Sequence, residues 1–123
     1  MPPTLNEQTS IYLQIAKMLE DGILRGIYPE DTQVPSTNEL ARTLCINPAT
    51  AAKGLNLLTE DGILYKRRGI GMFVAPGAAQ AIRAKRKQAF FKQYVRPLAA
   101  EAKNLGITPA ELQAMLAQAS EKE

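Results

Sequence analysis

The side chains of this sequence that can do chemistry are hydroxyls, amides and cations rather than acid–base or metal-ligating groups. Ser36, Thr37, Asn38, Asn47 and Thr50 carry short hydrogen-bonding groups; Lys53 follows, and Lys66-Arg67-Arg68 lies downstream beside Gly69 and Gly71. Short hydroxyls and amides at helix starts accompany unpaired backbone N–H groups, and the helix dipole favours an anion there. Lysine and arginine neutralise phosphates. This set of groups suits the holding of a polyanion. The chain has no histidine, so a Ser-His-Asp or Cys-His triad is excluded. Its single cysteine, Cys45, can form no intramolecular disulfide and cannot by itself build a zinc site. Gly69-Ile70-Gly71 is too short to serve as a nucleotide-binding phosphate loop. No cofactor, metal or catalytic activity is expected.

The elements that must position these groups are legible between Val34 and Val74. Ser36-Thr37-Asn38-Glu39 is a capping box, with Ser36 as N-cap and Glu39 three residues on. It opens a helix with Leu40, Ala41 and Leu44 on its apolar face. Cys45-Ile46-Asn47 has room only for a turn. Asn47-Pro48 starts a second helix, with a polar N-cap and proline at the first helical position, and Asp61-Gly62 ends it. Ala51, Gly54, Leu55 and Leu58 form its buried stripe, and Ala49, Thr50, Lys53 and Asn56 lie opposite. Gly54 in a helix interior costs about 1 kcal/mol relative to alanine, which close packing against another helix would offset. A basic two-stranded hairpin follows. In it Leu64 and either Met72 or Val74 point to the core, and Lys66, Arg67 and Arg68 point outward. Gly69 and Gly71 suit a tight turn. Two helices joined by a short turn, with such a hairpin appended, describe a winged helix-turn-helix, the usual device for placing a helix in the DNA major groove.

The rest of the chain serves this unit. Ser10 to Arg25 reads as an amphipathic helix through Ile11, Ile15, Met18, Leu19, Ile23 and Leu24, ended by Gly26 and Pro29. Glu30 to Pro35 reads as a loop. Ala75-Pro76-Gly77 marks a domain boundary, giving a winged helix-turn-helix over 1–76 and a helical region over 77–123. In that second region Ala78 to Leu105 carries an apolar stripe including Ile82, Phe90, Tyr94 and Leu98, with a kink or break expected near Tyr94–Arg96 because of Pro97. Thr108-Pro109-Ala110-Glu111 caps a last helix burying Leu112, Met115 and Leu116. Two such helices cannot bury wide apolar faces on each other alone. Either a second copy of the chain covers them, which makes a homodimer, or they fold back on the N-terminal domain. Ile82, Phe90, Tyr94, Leu98, Leu112, Met115 and Leu116 are the expected dimer contacts.

The fold class is therefore mainly α: a winged helix-turn-helix with a small two-helix C-terminal dimerisation region. The net charge of +3 conceals an asymmetry. Residues 1–35 set Lys17 and Arg25 against Glu7, Glu20, Asp21, Glu30 and Asp31, whereas residues 62–96 contain lysines and arginines and no acidic residue. One-sided basic charge marks a polyanion binder; the Arg83–Lys92 run on its own reads equally as a solvated helix face. No stretch is long and apolar enough for a membrane span, and Met1–Asn6 lacks the pattern of a secretory signal, so a cytoplasmic location is expected.

The run Val34-Pro35-Ser36, Glu39-Leu40-Ala41, Leu44, Ile46-Asn47-Pro48, Thr50, Ala52-Lys53, Leu55, Leu58, Gly62, Leu64, Arg67-Arg68-Gly69, Gly71, Phe73-Val74 resembles the GntR family of bacterial transcription regulators. Ile11–Ile15 and Gly26–Pro29 fit its first helix and following loop, and the likeness covers about residues 8–75. The short tail resembles the YtrA-like subfamily, whose members replace a large effector-binding domain with a small helical dimerisation region and often accompany ABC transporter genes. The resemblance implies a dimeric repressor acting on a two-fold symmetric double-stranded DNA operator. It implies backbone and base contacts at Ala49, Thr50 and Lys53, and wing contacts at Arg67, Arg68, Gly69 and Gly71. Where the family often has a basic residue before Glu-Leu this chain has Asn38. Where it often has arginines early in the recognition helix this chain has Pro48 and Ala52, which fits the YtrA-type pattern Asn-Pro-x-Thr-x-x-Lys.

On such a duplex Ser36 and Thr50 would bond phosphates, and Lys53 would reach guanine acceptors. Asn56 either reads a base edge or is solvated, and Ala49 either touches a thymine methyl or permits close approach. Arg67 and Arg68 would sit near the minor groove. Cys45 is either an oxidant sensor or a small core filler, the second being commoner for a lone thiol in a turn. A small-molecule effector between the C-terminal helices is compatible with the sequence but not specified by it. The competing reading is a winged-helix protein–protein interaction adaptor, against which the basic hairpin and Lys53 argue.

Overall fold

The structure, a computed structural model, describes residues 10–121. The Met1–Asn6 segment considered above lies outside them. Helix α1 spans Ile11–Leu24 and buries Ile15, Leu19 and Ile23. Met18 and Leu24 of the expected stripe are half-buried, and Ile11 is 37% exposed at the helix start. Gly26, at φ +79°, sits in the left-handed region just past the helix end. Helices α2 (Thr37–Leu44) and α3 (Pro48–Glu60) form the helix-turn-helix, and α3 packs on both α1 and α2. Its buried residues are Ala51, Gly54, Leu55 and Leu58. A Cβ built on Gly54 would lie 3.0 Å from the backbone oxygen of Tyr12 and 3.1 Å from Ile15 Cγ2. The glycine therefore sets how closely α1 and α3 approach.

Strands β1 (Leu64–Arg67) and β2 (Gly71–Val74) pair antiparallel, with Leu64 opposite Val74 and Arg67 opposite Gly71. Leu64 and Val74 are buried in the core, and Met72 is half-buried against it. Residues 31–34, read from sequence as plain loop, form a third edge on this ribbon. The N–H groups of Asp31 and Val34 donate to Val74 O and Met72 O at 2.7 and 3.0 Å, Val74 N–H donates to Thr32 O at 3.0 Å, and Gln33 bridges to Phe73. The open edge of β2 needed partners for its backbone groups, and the adjoining segment provides them.

Contacts divide the chain into two compact units, one ending at Ala84 and one starting at Lys85. The break at Ala75–Gly77 is present, with Gly77 at φ +78°, yet the first unit continues beyond 76. Helix α4 (Ala78–Phe90) begins there, and its Ala78 and Ile82 are buried in the core formed by α1, α3 and the hairpin. Ile82, expected at a dimer interface, is wholly buried and has no surface to offer a second chain. Its apolar spacing is that of a packed helix face, but the partner of that face is the first unit's own core.

In the second unit a π-helical turn, Phe91–Val95, precedes α5 (Arg96–Asn104), with Arg96 N–H bonding to Phe91 O. This turn is the form the expected kink takes. Pro97 lacks an N–H and its ring crowds the preceding turn, and widening that turn relieves the conflict without ending the helix. Helix α6 (Pro109–Glu121) starts at the expected capping box: Thr108 N–H donates to Glu111 Oε1 at 3.1 Å and Glu111 N–H to Thr108 Oγ1 at 3.2 Å.

Candidate nucleic-acid interface

The start of α2 is held by its own cap. Glu39 N–H donates to Ser36 Oγ at 3.1 Å, and Ser36 N–H donates to Glu39 Oε1 at 3.0 Å. The bond from Ser36 N–H first, and the Ser36 hydroxyl second, hold the Glu39 carboxyl below its ordinary pKa. Thr37 is half-buried and Asn38 exposed on the same first turn. At the start of α3, Ala49 N–H donates to Asn47 Oδ1 at 2.8 Å, and Thr50 N–H to Asn47 O at 3.0 Å. Ala49 is exposed and Thr50 half-buried.

Lys53 is exposed but not loose. Its Nζ lies 4.1 Å from the centroid of the Tyr12 ring on α1. The two line an open cleft of about 520 Å³ with Ala49, Ala52, Asn56, Leu57 and Glu60. Ala49, Lys53 and Asn56, the expected base-facing residues, are thus brought together, and α1 supplies a wall that sequence reading did not include. Tyr12 lies on α1 beside the buried stripe, so periodicity alone marks it only as a flank residue.

The wing is built on an aromatic platform. Tyr65 and Phe73, cross-strand partners, stack at 5.9 Å between centroids. The Arg67 guanidinium sits 4.5 Å from the Phe73 centroid, and its Nη2 donates to Tyr65 Oη at 3.4 Å. Tyr65 O–H in turn donates to Asp31 Oδ1 at 2.8 Å, a bond that pushes the phenol pKa up. Ile70 N–H donates to Arg67 O at 3.0 Å and closes the tip, with Gly69 at φ +75° in the third turn position, where a type II turn needs positive φ. At Gly71 the φ of +148° itself favours glycine, and a Cβ there would displace the end of the Gln33 side chain, whose Nε2 donates to Ile70 O at 3.0 Å. Lys66, Arg67 and Arg68 are all exposed. The platform escaped sequence reading, although Tyr65 and Arg67 share a face at strand spacing.

Cys45 is exposed, not a core filler. It caps α2 in the left-handed conformation at φ 55°, with its thiol 3.9 Å from Arg42 O. In the second unit Phe90, Tyr94, Leu98, Met115 and Leu116 are 41–61% exposed, and Leu112 is half-buried. The Phe90 and Tyr94 rings lie 5.4 Å apart. An open groove there, about 460 Å³, is lined by Lys87, Gln88, Phe91 and Lys92, neighbours along one stretch of chain rather than residues of facing helices. No helix among the described residues is long and apolar enough to cross a membrane.

A three-helix unit with a helix-turn-helix and a basic two-stranded wing defines the winged-helix class of DNA-binding transcription regulators. The family model described as bacterial regulatory proteins, gntR family, matches residues 11–74, and the chain belongs to that family. It is similar to the HTH-type transcriptional repressor YtrA of Bacillus subtilis, 29% identical over 99 residues that cover 80% of this chain and 75% of that one. Other curated relatives, all regulators, match over shorter stretches, and the chain spans 26–33% of their length. Among solved structures, a GntR-family regulator from Bacteroides thetaiotaomicron superposes with a TM-score of 0.80 at 36% identity, covering 91% of this chain and 97% of that one. The AraR DNA-binding domain, in complex with its operator ORE1, superposes with a TM-score of 0.53 at 27% identity, covering 61% of this chain and 94% of that one. These relatives are transcription regulators rather than enzymes.

Proposed function

We propose that the protein is a cytoplasmic homodimeric repressor that occupies a two-fold symmetric operator and blocks a promoter. The observation that carries this reading is that one compact unit exposes both the first turns of α3 and a hairpin tip bearing Lys66, Arg67 and Arg68. In this reading Ser36, Thr37, Asn38, Asn47 and Thr50 hold phosphates, while Ala49 and Lys53 meet base edges. Arg67 and Arg68 approach the minor groove, on a tip shaped by Gly69 and Gly71. The similarity to YtrA, a named repressor, supports repression. Dimerisation is supported by the apolar side chains of Phe90, Tyr94, Leu98, Met115 and Leu116, which the unit leaves uncovered. A dimer places two reading helices about one helical turn of DNA apart, roughly 34 Å.

The test is selection of bound fragments from the source genome, followed by salt-titrated gel shifts and footprinting. The expected result is a palindromic footprint and affinity at least about 10³-fold above random DNA. Equal affinity for every duplex, or none in dilute buffer, would remove the proposal and leave the protein-adaptor reading.

A further inference from the structure

We infer that Tyr12, on α1, is a positioning residue for base readout, acting through Lys53. The inference rests on the proposal that Lys53 meets base edges and adds a residue that neither the helix-turn-helix nor the wing contains. Three observations converge on it. Gly54 lets α1 and α3 approach until a Cβ would be 3.0 Å from Tyr12 O, so this part of α1 is pressed against the reading helix. The Tyr12 ring then lies under the Lys53 ammonium at 4.1 Å. Both side chains line the one cleft that also holds Ala49 and Asn56.

The physical consequence concerns entropy and direction. A lysine side chain has four rotatable bonds and loses much rotamer freedom when it is ordered. An exposed cation–π contact is worth a two- to five-fold population bias toward the stacked geometry. Tyr12 thus holds Lys53 near one direction before DNA arrives. That raises discrimination at the base pair Lys53 meets, without adding a phosphate contact. The ring and the ammonium need only the aromatic face, so phenylalanine should replace tyrosine at this position and an aliphatic residue should not.

The experiment compares wild type with Tyr12→Phe, Tyr12→Leu, Lys53→Ala and the Tyr12→Leu/Lys53→Ala double variant. Each is measured on the selected operator, on every single-base change in one half-site, and on random DNA over a salt series. We expect Lys53→Ala to relax preference at one base pair. Tyr12→Leu should reduce discrimination at that same base pair about two- to five-fold. Random-DNA affinity and salt slope should be unchanged, the double variant should match Lys53→Ala, and Tyr12→Phe should match wild type. Two outcomes would overturn the role of Tyr12: Tyr12→Leu weakening operator and random DNA equally, or full additivity in the double variant. If Lys53→Ala instead lowers binding uniformly over all sequences, the base-reading role of Lys53 itself falls, and the inference falls with it by a separate route. Should Tyr12→Leu not fold, NMR of the wild type and Tyr12→Phe decides the matter. The Lys53 side-chain methylene protons must show an upfield ring-current shift in both, and ordinary shifts would overturn the stack.

Discussion

Arg67 and Arg68 are neighbours in the chain but are held differently. Arg67 is braced over Phe73 and bonded to Tyr65 Oη, and Asp31 anchors that phenol from the other side. Arg68 stands at the turn with its guanidinium exposed. A braced guanidinium loses less freedom on meeting a phosphate, so Arg67 is suited to fix the wing's direction and Arg68 to add charge. Replacing both with alanine should weaken DNA binding and lower the slope of log K against log salt by about 2 per protomer, about 4 for the proposed dimer, read from a salt-titrated anisotropy series. An unaltered slope would remove the wing from the binding model. The positive charges were plain in the sequence, but the platform beneath Arg67 was not. It depends on the β1–β2 register that sets Tyr65 opposite Phe73, and on Asp31, which lies more than thirty residues before Tyr65.

At the scale of elements, the helix starts show how local chemistry positions the interface. Ser36 and Glu39 satisfy two backbone donors at the start of α2, so Ser36→Ala should cost about 1 kcal/mol of stability in denaturant melts. The Glu39 bonds also make that cap sensitive to pH. Its carboxyl has a lower pKa folded than unfolded, so its contribution is complete above the ordinary carboxylate range. It is lost as pH falls through the folded value. Glutamine at this position can still accept the Ser36 bond but does not titrate there. Thermal melts taken from neutral to acid pH should therefore show Tm falling less steeply for Glu39→Gln than for wild type. A parallel fall would mean the cap contributes nothing to the acid limb. The α6 box at Thr108 and Glu111 has the same lowered carboxyl, which leaves part of the slope in place.

For the molecule as a whole, the two units make opposite demands on their apolar residues. Ile82 belongs to the first unit's core, so Ile82→Ala should destabilise that unit by about 2–5 kcal/mol while leaving the association state of the folded protein intact. Phe90 and Tyr94 are exposed, so exchanging both for polar residues should barely change the melting of the first unit. In the proposed dimer that exchange should yield monomers with poor operator affinity. Sedimentation velocity on both variants separates the cases, and a dimer persisting in the Phe90/Tyr94 variant would place the interface elsewhere.

The sequence by itself determined what depends on near neighbours. Caps at Ser36, Asn47 and Thr108, left-handed glycines at 26 and 69, and the stripe Ala51, Gly54, Leu55 and Leu58 all follow from steric and hydrogen-bonding rules that operate within one turn or one hairpin. The wing's charge was legible for the same reason. Only tertiary structure decided which surface each stripe meets. It sent Ile82 into the first core, made residues 31–34 a third edge, left Cys45 exposed and seated Lys53 on Tyr12. Those outcomes turn on contacts between segments distant along the chain, whose energies are set by fit and burial in three dimensions and leave no local signature.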